Sequence, residues 1–246
     1  MVPQPGSALG PGTPGADGPA YNRFVESRPQ RFRDRTLAEF VDDLASDQPV
    51  PGGGSASAVA AALGAGLVTM VAALSAGRPR YAEHAAIHNL AGARARELAD
   101  RFLTLADRDA DAYAAFAAAL KLPRDTDSEK LARTNALRAA ARAATEVPLA
   151  CVEGCRELAT AAEMLAGRSN ANAASDLSVA SRLAEAGAEG AAANVLVNLP
   201  SVGDDAFARE MTSRVESLLA EIVAIASRTR AVVASGEARS PLPANA

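Results

Sequence analysis

From Val50 to Gly77 the chain carries no charged residue. A stretch of that length either crosses a bilayer or runs through the middle of a helical protein. Its composition favours the second. Ala, Gly, Ser and Thr dominate it, whereas spanning segments owe their insertion to Leu, Ile, Phe and Val. No aromatic belt flanks it, and no second segment of the kind follows. It therefore reads as a buried central helix, and the rest of the chain must supply the helices that surround it.

The remaining composition points the same way. Apolar residues make up 49% of the 246, yet aromatics supply only 4%, with no Trp. The apolar weight rests on Ala, the best helix former and a poor strand former. That argues against a β-sandwich or barrel and for an all-α multi-helix bundle without a sheet. A net charge of −4 lacks the basic footprint of a nucleic-acid binder, so neither nucleic acid nor membrane is an expected partner. Two cysteines, Cys151 and Cys155, stand four apart in a helical pattern and read as small buried thiols. No further Cys or His pair completes a metal site with them.

Residues 1–33 read as a flexible Pro/Gly-rich tail, 34–236 as one helical domain, and 237–246 as a second tail. No secretory leader pattern is visible, so a cytoplasmic location is expected. Thr36 with Glu39, and Thr126 with Glu129, form capping boxes that open helices. The spacing predicts helices over 36–45, 56–76, 81–120 and 126–167, the last kinked at Pro148. A polar break at 169–175 precedes two shorter helices, 176–186 and 189–199. A final helix follows Pro200 and reaches Ser235. Short connections between long helices make antiparallel neighbours.

Against so plain a background, few positions go unexplained by core building. Pro51-Gly52-Gly53-Gly54-Ser55 leaves backbone N–H groups free at the positive end of a helix, a place that attracts anions. An N-cap at Ser55 accounts for the same residues without a ligand. The pattern is neither a dinucleotide fingerprint nor a P-loop. Within 81–120, Asp107, Asp109 and Asp111 alternate. Asp109 falls in register with the stripe Leu98, Phe102, Leu105, Ala112 and Phe116, and Asp107 lies almost opposite. A carboxylate on an apolar seam is desolvated and becomes a candidate acid or base. Pairing with Arg101 and Arg108 on a solvated face is the alternative. Asn170 and Asn172 precede Ser175-Asp176, which can cap a helix. Asn194 and Asn198, four apart, face one way on an apolar helix, and Asn198 can also be a C-terminal cap. His84 and His88, also four apart, read as an exposed helix face rather than a metal site.

Taken in order, these features resemble the cyclodeaminase part of formiminotransferase-cyclodeaminase and its stand-alone relatives, the methenyltetrahydrofolate cyclohydrolases. The resemblance runs from about Thr36 to about Ser235. It rests on Pro51 to Ser55, Asp107 to Tyr113, Leu122-Pro123 with Thr126, Glu129-Lys130 and Arg133-Thr134, then Asn170, Ser175-Asp176 and Asn194 to Leu199. It implies an all-helical homodimer acting on the one-carbon unit of tetrahydrofolate, without metal or redox cofactor. The leading activity it implies is closure of 5-formimino-tetrahydrofolate to the 5,10-methenyl compound with loss of ammonia. The second is opening of the methenyl compound by water to 10-formyl-tetrahydrofolate. A non-catalytic helical module that binds folate or a protein is the rival of another class.

The resemblance puts Asp107 in the place of the family's catalytic aspartate and makes it the first catalytic candidate, while periodicity alone favours Asp109, which stands as the second. Gly53, Gly54, Ser55, Asn170, Asp176 and Asn194 are the expected lining of the folate site. Arg78, with Arg80, is a candidate for holding a glutamate tail, although Pro79 interrupts the run of consecutive basic residues that the resemblance leads one to expect. With no transferase domain ahead of the helices, formimino transfer is not expected.

Overall fold

The computed structural model describes residues 31–242. Six α-helices follow in order: α1 (Leu37–Leu44), α2 (Gly53–Ser75), α3 (Ala85–Leu120), α4 (Asp127–Leu165), α5 (Ala174–Val202) and α6 (Asp205–Ser235). Short 3-10 segments precede α1, α3 and α5, and no strand occurs among the described residues. Helices α2 to α5 form an up-and-down bundle. Ser55 meets Asp109 and Ala72 meets Gly92, so α2 and α3 run antiparallel. Gly64 lies against Ala180 and Gly53 against Asn194, so α5 is antiparallel to α2 on its other side. Helix α4 packs on both α3 and α5 beneath α2, and α6 lies against α4 and α5.

The uncharged helix is the central one. It is long and apolar enough to cross a membrane, but half of its most apolar stretch is buried against neighbouring helices. Small residues make this closeness possible. Ala61, Ala65, Ala180, Ala184, Ala188 and Ala191 are all fully buried. The few large side chains inside, such as Phe102, Leu98 and Leu158, fit against glycines. A Cβ on Gly154 would stand 2.8 Å from the Phe102 ring. Cys151 and Cys155 are free, buried thiols, as the spacing suggests.

Both capping boxes form: Thr36 accepts from the Glu39 N–H and Thr126 from the Glu129 N–H, each with the reciprocal bond. Asp204 caps α6 through the Ala206 and Phe207 N–H groups. Gly203, at φ 67°, ends α5 in the left-handed region that favours glycine.

Several expectations change. The two helices expected over 176–186 and 189–199 are one, α5. Glycine at 187 signals a break locally, but the Ser57 carbonyl lies 3.0 Å from where its Cβ would be. Close packing on α2 needs glycine there, and the helix continues through it. Pro200 sits in the last turn of α5, not ahead of α6. Helix α2 begins at Gly53 with Gly52 as N-cap, so Ser55 caps nothing. Ala173, not Ser175 or Asp176, occupies the N-cap of α5.

The inner ends of both expected tails are held. Phe32 to Asp34 form a turn whose Phe32 N–H donates to Asp107, and Arg33 reaches Asp100. At the other end the Arg239 N–H donates to the Gly167 carbonyl and Arg168 Nε to the Ser240 carbonyl, 2.6 Å away. The rest of these tails, residues 1–30 and 243–246, lies outside the described residues.

Candidate active site

The Gly-rich turn and the Asp run meet. The Asp109 carboxylate of α3 sits at the N-terminus of α2, where Ser55 Oγ lies 2.9 Å from its Oδ2 and 3.1 Å from the Ala106 carbonyl. Ser55 is 0% exposed. Glycine at 54 is a steric requirement, since a Cβ there would stand 2.6 Å from Asp109 Cγ. The anion-favouring end of α2 is thus filled by the protein's own carboxylate.

Burial pushes the Asp109 carboxyl above its ordinary value of 3.8, while the Ser55 hydroxyl and N–H pull it back. Desolvation penalises the charged form, and the two Ser55 contacts favour it. Helix α2 brings no charged side chain to this point. Asp109 is only half-buried, so it keeps a face toward solvent. Beside it, exposed Gly53 approaches Asn194, whose Nδ2 would be 3.7 Å from a Cβ at 53. Asn194 donates that same amide nitrogen to the Gly190 carbonyl of its own helix, 2.8 Å away. One surface therefore gathers the helix start, a carboxyl that holds its proton more firmly than usual, and an amide.

Asp107 faces elsewhere. Its Oδ1 accepts from the Phe32 N–H at 2.8 Å, where the chain's N-terminal segment crosses α3. Arg101 pairs with Glu157 rather than with the Asp run. Gly54 and Ser55, expected to line a folate site, are buried, and both lie against the Asp109 carboxyl. Asn198 does not cap α5 but donates to the Ala144 carbonyl of α4.

The other expected lining residues lie at the far end of α2. From Gly53 to Ser75 the helix rises about 33 Å, at 1.5 Å per residue. There the Asn170 N–H donates to Ser75 Oγ at 2.8 Å, and Asn170 Oδ1 accepts from the Asn172 N–H. Tyr81 Oη accepts from the Ala171 N–H. Asp176, in the first turn of α5, is half-buried toward this end, and Arg78 is exposed. Within one chain, Arg78, Asn170 and Asp176 are not brought to Asp109.

The same end holds the histidine pair, and here the expectation of an exposed face fails. His84 is 5% exposed and His88 2%. His88 Nε2 lies 2.8 Å from the Arg168 carbonyl, so Nε2 carries the hydrogen. The Nδ1 atoms of both rings are buried without a hydrogen-bond partner. Their register with Ala91, Ala95 and Leu98 on the buried stripe of α3 was the available sign. Among the described residues no group of three or more His, Cys, Asp or Glu side chains could hold a metal ion. A groove of about 710 Å³ runs between α4 and α6, lined by Glu153, Arg156, Arg214 and Glu221 among others, away from Asp109.

Residues 36–217 match formiminotransferase-cyclodeaminase, a match that spans α1 to α5 and reaches into α6. The chain belongs to that family. It is 40% identical over 200 residues to a methenyltetrahydrofolate cyclohydrolase of Methylorubrum extorquens, covering 81% of this chain and 96% of that protein. It is 38% identical over 192 residues to the formimidoyltransferase-cyclodeaminase of Sus scrofa, covering 78% of this chain and only 36% of the pig protein. The chain thus spans about a third of that longer relative. Its fold is that of the crystal structure of formiminotetrahydrofolate cyclodeaminase from Thermotoga maritima. The TM-score is 0.73 at 28% identity, over 82% of this chain and 98% of the other. The family match includes both Gly53–Ser55 and Asp109 within its bounds.

Proposed function

We propose that this chain is a folate one-carbon enzyme that opens 5,10-methenyl-tetrahydrofolate with water, giving 10-formyl-tetrahydrofolate, and that Asp109 moves the proton. The observation that carries the proposal is the Asp109 carboxyl, desolvated at the start of α2 and held by Ser55. The sequence alone put the cyclodeaminase first. The 40% identity to a stand-alone cyclohydrolase, over nearly all of that protein, supports the cyclohydrolase instead. The cyclodeaminase remains the second reading because the Thermotoga structure of that activity shares the fold.

The chemistry suits a carboxyl with a raised pKa. Water adds to the amidinium carbon between N5 and N10, and its departing proton goes to the Asp109 carboxylate. The tetrahedral carbon then collapses: the C–N5 bond breaks as the added oxygen becomes the formyl carbonyl. N5 gains one proton and one is released, so the two hydrogens of water are accounted for. While ionised, Asp109 also favours the cationic substrate over neutral competitors. A base whose pKa lies nearer the working pH exchanges protons more efficiently than an ordinary carboxylate. Gly53 lets the ligand approach the backbone, and Asn194 offers its side-chain oxygen. In the cyclodeaminase reading the same carboxyl takes the N10 proton as N10 closes on the formimino carbon, and ammonia leaves.

The protein acts as a homodimer in this proposal. Exposed Leu63, Gly66, Met70 and Leu74 mark an uncharged stripe along the outer face of α2. A second copy covering it would bury that apolar surface, and mass in solution checks this: a strict monomer at micromolar concentration contradicts it. The activity test is absorbance with each folate, since methenyl compounds have a distinct chromophore. Loss of signal from methenyl-tetrahydrofolate is the expected result. Gain of signal from the formimino compound selects the second reading. No change with either contradicts both and leaves a binding module.

A further inference from the structure

Ser55 has one hydroxyl hydrogen and two acceptors in reach, Asp109 Oδ2 at 2.9 Å and the Ala106 carbonyl at 3.1 Å. It cannot serve both at once while Asp109 is ionised. When Asp109 is ionised, the Ser55 hydrogen points to the carboxylate. The Ala106 carbonyl then keeps only its place in the α3 ladder. When Asp109 holds a proton, Oδ2–H can donate to Ser55 Oγ, and the Ser55 hydrogen turns onto the Ala106 carbonyl. Both protonation states are then hydrogen-bonded without any backbone movement.

We infer that Ser55 is a positioning residue for proton transfer, a buried rotor that satisfies Asp109 in both of its protonation states. This rests on the reading of Asp109 as the proton carrier. The surroundings favour such a role. Gly54 leaves room for the Asp109 carboxyl against the helix start, beside the Ser55 hydroxyl. Ser55 is fully buried, so water does not replace its hydroxyl. Helix α2 contributes no charge, and the charged neighbours along α3 are Asp107, Arg108 and Asp111. Asp107 is tied to the Phe32 N–H on another face. The other influence on Asp109 is burial, which raises it against the pull of Ser55.

The experiment is a ¹³C-carboxyl NMR titration of Asp109 in the wild type and in Ser55→Ala, alongside the pH profile of kcat/KM. Removing the hydroxyl takes a bond from both forms, but the bond to the carboxylate is charge-assisted and about twice as strong as the neutral one, so Asp109 should titrate higher by about one pH unit in Ser55→Ala. The acidic limb of the rate profile should move by the same amount. Ser57→Ala removes a hydroxyl two residues on that bonds only the Gly53 carbonyl, and should leave the titration in place. An Asp109 titration unchanged in Ser55→Ala overturns the inference. So does an equal shift in Ser57→Ala, which would make the effect one of helix packing. The titration reads Asp109 whether or not the chain turns over folate. Absence of turnover therefore counts against the proposed function alone, and an unmoved titration against the rotor alone.

Discussion

The two ends of α2 bury titratable groups by the same physics and obtain opposite responses to pH. At its start, burial raises the acid Asp109 above 3.8. At its far end, burial lowers the base His84 below 6.5, with the Glu83 carboxylate opposing. Desolvation disfavours the charged form in both cases, but the acid is charged by losing a proton and the base by gaining one. The folded chain holds the Asp109 proton more tightly than the unfolded chain does. Its stabilising contribution is therefore complete below about 3.8 and is lost as pH rises through the raised value. For His84 the contribution is present above about 6.5 and is lost as pH falls through the lowered value. The two contributions are thus lost in opposite directions of pH.

Their hydrogen bonding differs in the same sense. Around Asn170 the polar groups close on backbone: Ser75 on the Asn170 N–H, Tyr81 on the Ala171 N–H, and Arg168 on the carbonyls of Met164 and Ser240. Such bonds fix loops. Asp109 instead keeps a free face and one hydroxyl that it must share with a carbonyl.

The largest effect expected is on Asp109→Asn. Turnover should fall about 10² to 10⁴-fold, the usual contribution of a positioned acid or base. The variant should still fold cooperatively at pH 7.5, because the amide has nearly the shape of the carboxyl it replaces. Gly54→Ala comes next. Its methyl displaces the carboxylate, and turnover should fall by about 10²-fold in a protein that still folds. Ser75→Ala should cost about 1–3 kcal/mol in chemical denaturation by orphaning the buried Asn170 N–H. Its kcat should stay within about threefold of wild type, a marginal range against the steps ascribed to acid–base groups. A large loss in kcat would break the contrast and join the two ends in one site across a two-fold axis. The smallest effect is on His84→Gln, which should flatten the fall in melting temperature as pH drops below about 6.5 without altering it at pH 8.

Much of this was legible in the sequence. The absence of charge from Val50 to Gly77 marked the central helix, and the two capping boxes marked helix starts. The apolar stripe of α3 put Asp109 on a seam, where it lies. What the sequence could not carry was tertiary. The interruption expected between residues 186 and 189 is absent, and Gly187 within it answers to the Ser57 carbonyl of another helix, which is not local. Ser55 looked like a cap because its partner Asp109 is 54 residues away. Asn170 and Asn194 looked like one site because both are polar in Ala-rich surroundings, and only the antiparallel run of α2 and α5 separates them.

The central claim is that Asp109, rather than Asp107, carries the proton. The direct measurement is the rate of decay of the methenyl chromophore with wild type, Asp109→Asn and Asp107→Asn at equal concentration. The expected result is a loss of at least about 10²-fold for Asp109→Asn and a far smaller loss for Asp107→Asn. Wild-type decay with Asp109→Asn, or the larger loss with Asp107→Asn, would contradict it.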